Sequence, residues 1–512
     1  MMGVCMNEHP FISLKEGQPI TADLLRGKFG LLKENCPSEI QLEELLTYLK
    51  QNGVYKKDGE CSYVGVVEWR QHLLCFFPKY YDVTGIKSQE FLSNSEHYEH
   101  FKTIVKTIRK YHREEANNTS IRELSFKTRA DLDVEWGYSG KLVIAVQLID
   151  DYLENGRYTN MKTHEQRCGT GEIDWQRTIN TELPVISHGR PCYVDYWTRE
   201  RVSHSETLIA RVHEAIVADC ANRLARCGLA DLLDIPLPFL GEGEDLNDFG
   251  DTQALLSIIE KEMAIQFVTS KQTILKLMHR YVELTTQVEA NDDGVSMYGT
   301  SSFHAVWEKV CGRVFGSQLE EVVPEEYLEG LSFDSGTKWS EIESRSLWTI
   351  GNAKEQQANA QNDERKGAKL KPDFVALDKE EKTFYILDAK YFAPDFEKMT
   401  DLPGVGDVNK QHLYQVVYHP LIKRNEWRLV NAFLMPDGMP KTLNIQAISV
   451  RCSLFRENKI QDVDGVIFKL APIQTVLLNP ETLFKNYLND DRTYLKNPLL
   501  KTLEPMSVLN KP

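Results

Sequence analysis

The chain contains no C-x-x-C pair and no cysteine–histidine cluster at zinc spacing; its ten cysteines are scattered. Neither a structural zinc nor a dense disulfide framework is expected, and reduced thiols follow. An excess of cations is lacking too. The formal net charge of −15 excludes strong sequence-blind attraction to polyphosphate and confines any nucleic-acid contact to local basic patches. No stretch approaches ~18 uninterrupted apolar residues, and the opening MMGVCMNEHP has no basic segment ahead of an apolar core. The expectation is a soluble, cytoplasmic protein with no membrane contact. The pattern G-x-x-x-x-G-K-[ST] is absent, so no P-loop is available to cradle a nucleoside triphosphate. No internal repeat occurs either.

What is present fits a multi-domain α/β (α+β) protein, since 512 residues suffice for several cores. Leucines recur at helical intervals over residues 18–53, and SYVGVVEW and HLLCFFPKYY then read as a strand pair, giving an N-terminal domain over 1–92 with a winged-helix-like order. A middle domain is expected over 93–240. Its amphipathic helix, Asn94 to Glu115, carries Lys102, Lys106, Arg109 and Arg113 as one basic stripe, which Arg122, Lys127 and Arg129 extend. Such a stripe is either a phosphate-binding face or a solvated one. The acidic GEGEDLNDFGD at 241–251 reads as a linker. A long helix over 252–289 and a final region complete a third domain, 252–512.

The chemistry concentrates in LKPDFVALDKEEKTFYILDAKYF. Two β-rich runs, Phe374 to Leu377 and Thr383 to Leu387, flank the charged turn Asp378 to Lys382 and predict a hairpin. Pairing Leu377 with Phe384 carries the register on to Asp373 opposite Asp388. Two carboxylates facing each other repel unless a cation lies between them, and a hard divalent ion suits them. Strand alternation puts Asp388 and Lys390 on one face and Ala389 on the other. Mg²⁺ held by Asp373, Asp388 and the Ala389 carbonyl, with Lys390 positioning a water, suits phosphodiester hydrolysis. The competing reading is a charged surface hairpin.

Two helices flank the hairpin. SSFHAVWEKVCGRVF turns Phe303, Val306, Trp307, Val310 and Val314 inward and leaves Glu308 at the margin, within reach of the metal site. NKQHLYQVVYHPL places Gln411, Gln415 and Tyr418 on one face, either to orient water and phosphate or as half-buried polar residues.

Four blocks, YVGVVEW…LLCFFPKYY, GTGEIDWQRTIN, YGTSSFHAVWEKVCGRVFG and PDFVAL…YILDAKYF…PGVGDVNKQHLYQVVYHPL, resemble the LlaJI family of restriction endonucleases, relatives of the McrC nuclease subunit. The resemblance implies a C-terminal PD-(D/E)xK restriction-endonuclease-like core, a mixed central sheet flanked by helices. Its helix acid corresponds to Glu308, its motif acids to Asp373 and Asp388, its lysine to Lys390, and its following helix contributes Gln411 or Gln415. It further implies Mg²⁺ (or Mn²⁺ as a substitute), double-stranded DNA as substrate, and a separate AAA+ GTPase motor and DNA methyltransferase as partners. A recombination or repair nuclease with the same core, and a non-catalytic DNA-binding scaffold, are the alternatives. For GTGEIDWQRTIN the sequence offers no chemistry.

Overall fold

A computed structural model describes residues 11–30, 37–55, 59–69, 72–83, 95–118, 141–204, 207–240, 243–289, 295–331, 333–342, 372–395, 400–437, 459–461, 467–491 and 505–507. Arg122, Lys127 and Arg129 lie outside them. The fold mixes several sheets with many helices. Two compact units emerge, and neither is continuous: one holds 1–9, 67–73 and 138–298, the other 10–66, 74–137 and 299–512.

The expected domain borders therefore shift. Strands β1 (Phe11–Lys15), β2 (Val64–Trp69) and β3 (His72–Phe77) do not form a free-standing wing; they enter a four-stranded sheet of order β1-β3-β2-β9, whose last strand is residues Val295–Thr300. A pairing across more than two hundred residues leaves no trace in local composition. The described part of 241–251 lies inside the smaller unit, where Arg211 pairs with Glu244 and Asp251 caps the next helix through Ala254 N–H at 2.9 Å. It is a polar loop within a unit. The long helix expected over 252–289 is two, Thr252–Ile265 and Thr269–Glu289.

In the smaller unit, helices Lys141–Asn155, Leu208–Arg226, Thr252–Ile265 and Thr269–Glu289 pack on one another. Tyr281 donates to Asp219 at 2.6 Å within this bundle. Strands β4 (Asn160–Arg167), β5 (Glu172–Ile173) and β8 (Trp197–His204) form a small sheet, and β6 (Val185–Ser187) and β7 (Arg190–Cys192) a separate hairpin. The GTGEIDWQRTIN block finds its physical reason here. A Cβ on Gly169 would meet Thr198 Oγ1 at 2.5 Å; Asp174 caps helix Trp175–Thr181; the buried Thr178 hydroxyl accepts from Trp197 N–H at 2.9 Å. The Arg177 guanidinium lies 3.8 Å from the Trp197 ring centre and pairs with Glu165, while Arg199 pairs with Asp174 at 2.6 Å. These residues hold a miniature fold together where little apolar surface is buried.

In the larger unit a second sheet carries the hairpin. Strands β10 (Phe374–Asp378) and β11 (Thr383–Ala389) are antiparallel, and β11 runs parallel to β12 (Arg428–Pro436). Beyond a small separate pair, β13 (Lys459–Gln461) and β14 (Ile467–Lys469), strand β15 (Ile473–Leu478) adds in parallel to β12, and β16 (Met506–Ser507) adds antiparallel to its start. β11 and β12 are buried along most of their length, as central strands paired on both sides require. Helix Val405–Arg424 covers one face, with Tyr418 5.3 Å from Phe384 between ring centres. Helix Phe303–Val314 also packs on the sheet: Trp307 donates from its ring to Leu434 O at 3.2 Å, and Phe315 stacks on Phe374.

Candidate active site

The hairpin has the expected register. Leu377 pairs with Phe384, and the ladder ends at Phe374 with Leu387; Asp373 and Asp388 are the next residues along the two arms of the hairpin, and the Asp388 charge is felt at Asp373. The short charged turn Asp378 to Lys382 sets this alignment, and both faces of the paired strands are buried. Asp373 Oδ2 accepts the Ala389 N–H at 2.8 Å. Asp388 is 3% exposed, and its Oδ2 lies 2.6 Å from Lys390 Nζ.

Burial, then the neighbouring Asp388 and Glu308 charges, push the Asp373 carboxyl up to about 8. Glu308 sits on the exposed side of its helix, close enough for its charge to be felt at Asp373 and at the buried Cys311 thiol. Burial opposes the charge on Lys390, but the Asp388 and Asp407 carboxylates more than offset it and hold its pKa above the ordinary lysine value. Tyr414 is buried beside the same acids; burial and their field push its hydroxyl pKa upward.

Sequence reasoning missed Asp407. It lies in the first turn of helix Val405–Arg424, and its Oδ1 is 3.2 Å from Lys390 Nζ. Its only local signal is the short run Gly404-Val-Gly-Asp, which reads as a helix start. Another support arises far away in sequence: the Tyr391 hydroxyl donates to Glu16 Oε2 at 2.5 Å and accepts from Lys79 N–H at 3.1 Å. The strand end that bears Lys390 is thereby tied to the segment following β1.

Of the two readings open for Gln411 and Gln415, the structure fits buried polar residues turned inward. Gln411 is fully buried, and its amide nitrogen donates to Asn431 Oδ1 at 2.6 Å and Ile386 O at 3.2 Å. Gln415 Oε1 accepts from Ala471 N–H at 2.9 Å, and Tyr418 donates to Trp339 O at 2.8 Å. The helix lays this polar face on the sheet, while Leu413 is 49% exposed. The reason is that Asn431 in β12, Ala471 N–H and Trp339 O beneath the helix need donors and acceptors that leucine cannot supply.

The basic stripe lies on helix Ser95–Asn118, which packs against helices Phe303–Val314 and Pro480–Leu488. Lys102, Lys106 and Arg109 are half-buried and Arg113 is exposed; all four have partners within the protein.

Hard oxygen donors, excess negative charge and a raised carboxyl pKa are the chemistry that a divalent cation relieves. Among the described residues no group of three or more His, Cys, Asp or Glu side chains is placed to hold a metal ion. Two facing carboxylates with Glu308 nearby fit Mg²⁺, which retains waters and takes one or two protein carboxylates. A caged zinc would not suit them.

Comparison with known proteins places the chain among restriction endonucleases. The sequence model for "LlaJI restriction endonuclease" matches residues 63–451, and the chain belongs to that family. It is 25% identical over 481 residues to the "Type II restriction enzyme BsuMI component YdjA" of Bacillus subtilis (strain 168), with 91% of this chain and 89% of the relative covered. A solved half-complex of Thermococcus gammatolerans McrB AAA+ hexamers with bound McrC aligns over 94% of this chain and 99% of the matched chain, at 13% identity and a TM-score of 0.38. Among the described residues no helix is long and apolar enough to cross a membrane.

Proposed function

We propose that this chain is a Mg²⁺-dependent DNA endonuclease, the nuclease component of a restriction system, that hydrolyses phosphodiester bonds at a PD-(D/E)xK-type site. The observation that carries the reading is the hairpin register that brings Asp373 and Asp388 to adjoining strand ends, where Asp373 feels the Asp388 charge and Lys390 sits 2.6 Å from Asp388. Family membership supports it, as does the word "component" in the name of the Bacillus relative.

Asp373, Asp388, the Ala389 carbonyl and Glu308 would hold the ion. When bound, Mg²⁺ (or Mn²⁺) supplies Lewis-acid polarisation of a phosphoryl oxygen. The Ala389 N–H fixes one oxygen of Asp373, so the other is presented in a set direction. Lys390, charged at neutral pH and anchored at two points, orients an attacking water and offsets the charge that grows on the phosphate. Gln411 and Gln415 serve this chemistry by fixing helix to sheet.

Double-stranded DNA is the substrate in this reading. Of the basic stripe, exposed Arg113 is the member a phosphate meets first. A chain of net charge −15 without a P-loop gains DNA affinity and any translocation from elsewhere. An AAA+ GTPase-type motor and a DNA methyltransferase are the partners it calls for. The test is plasmid cleavage by the purified chain with Mg²⁺, on methylated and unmethylated DNA, with and without the neighbouring NTPase and GTP or ATP. Cleavage that needs Mg²⁺ and is lost in Asp388→Asn is the expected result. Equal activity of that variant overturns the site assignment, and efficient cutting unaffected by the NTPase removes the motor.

A further inference from the structure

Lys390 is shared between two acids of unequal burial. Asp388 is 3% exposed, whereas the Asp407 side chain is 28% exposed, and the ammonium touches both, at 2.6 and 3.2 Å. The acids come from different elements, the end of β11 and the first turn of the covering helix. The two oxygens of Asp407 act separately, with Oδ2 accepting Gly404 N–H at 3.2 Å to cap the helix, which leaves Oδ1 for the lysine.

An ammonium 2.6 Å from the acid that would bind a metal is itself a competitor for that acid. A divalent ion on Asp388 would repel the ammonium beside it and weaken its hold on that carboxylate, so a second acid within reach favours the lysine's moving over. We infer that Asp407 is the positioning residue that receives Lys390 when a divalent cation takes Asp388, lowering the cost of metal entry and keeping the lysine beside the reacting phosphate. The inference rests on the proposed metal site and adds a second station for its lysine. Without Asp407 the ammonium clings to Asp388 and resists the ion; without the lysine, Asp407 has nothing to receive.

The two residues are therefore coupled, and a double-mutant cycle measures the coupling. The probe is Mn²⁺, titrated calorimetrically into the full-length chain without DNA. Asp407→Asn keeps an acceptor for Gly404 and loses only the charge. It is expected to weaken Mn²⁺ binding about threefold to tenfold, and Lys390→Gln to strengthen it by a similar factor. In the Lys390→Gln background the Asp407→Asn change should matter less than about twofold. On DNA, Asp407→Asn should lower kcat with KM unchanged, and Asp407→Glu should restore most of it. An equal effect of Asp407→Asn in both backgrounds means that Asp407 contributes a diffuse field only, and overturns the inference. So does no effect in either. Wild-type Mn²⁺ binding that survives Asp388→Asn, or no binding at all, overturns the metal site itself and the inference with it.

Discussion

The Ala389 N–H donates to the Asp373 carboxylate at 2.8 Å, so one acid is locked to the backbone beside the other. Substitutions of Asp373 consequently separate chemistry from folding. Asp373→Asn keeps an acceptor for the amide, whereas Asp373→Ala strands it and costs about 1–3 kcal/mol of stability. Both should lower Mg²⁺-dependent cleavage by at least about three orders of magnitude, roughly 4 kcal/mol of barrier. Thermal melts alongside plasmid cleavage check this; activity of Asp373→Asn within tenfold of wild type contradicts it.

A second expectation concerns pH. Burial, and then the Asp388 and Glu308 charges, push the Asp373 carboxyl up to about 8 in the folded chain, against about 3.9 unfolded. A folded pKa above the unfolded one means that the folded state holds the extra proton between them. Its contribution is therefore full below about pH 4 and is lost as pH rises toward about 8. Denaturant titrations without metal should show wild type losing stability relative to Asp373→Asn across that window, and Mg²⁺ should reduce the difference. Parallel profiles for the two proteins would refute the shift.

Gln411→Ala should act on folding. It removes the donor that Asn431 Oδ1 and Ile386 O share, leaving buried acceptors unpaired at a cost of about 2–3 kcal/mol. The signature is a lower denaturation midpoint with cleavage per folded molecule within about tenfold of wild type. A stable variant that has lost cleavage would return Gln411 to the reacting centre.

Gly299→Ala should destabilise the fold as well. A Cβ there collides with Val64 O and the Tyr63 ring, backbone and a buried aromatic that have no room to withdraw. Overpacking of this kind costs about 1–3 kcal/mol or more, measured as a fall in melting temperature. An unchanged melt would mean that β9 can shift along β2.

Legibility in the sequence followed the range of the forces involved. The β10–β11 register was readable because two apolar runs and the charged turn between them lie within sixteen residues, and so short a turn fixes the pairing. The partnership of β2 with β9 was not, since nothing near Val64 or Val295 encodes the other. Asp407 escaped for a related reason: an acid in a helix's first turn is explained locally by capping, and only the folded sheet brings Lys390 to it. For Gln411 and Gln415 the sequence left two readings open, orientation of water and phosphate or burial as polar residues, and the fold buries both. A polar face at helical intervals normally faces water, and here backbone beneath the helix takes water's place.

The bond from Tyr391 to Glu16 spans 375 residues. At synthesis rates of about 5–20 residues per second, a ribosome releases Glu16 on the order of 20 seconds or more before its partner exists. The strand of Met506–Ser507 arrives later still. An unfinished chain thus carries the hairpin's acids and lysine, with Glu16 already waiting for Tyr391, before the strands Arg428–Pro436, Ile473–Leu478 and Met506–Ser507 that complete the sheet beside it have been made.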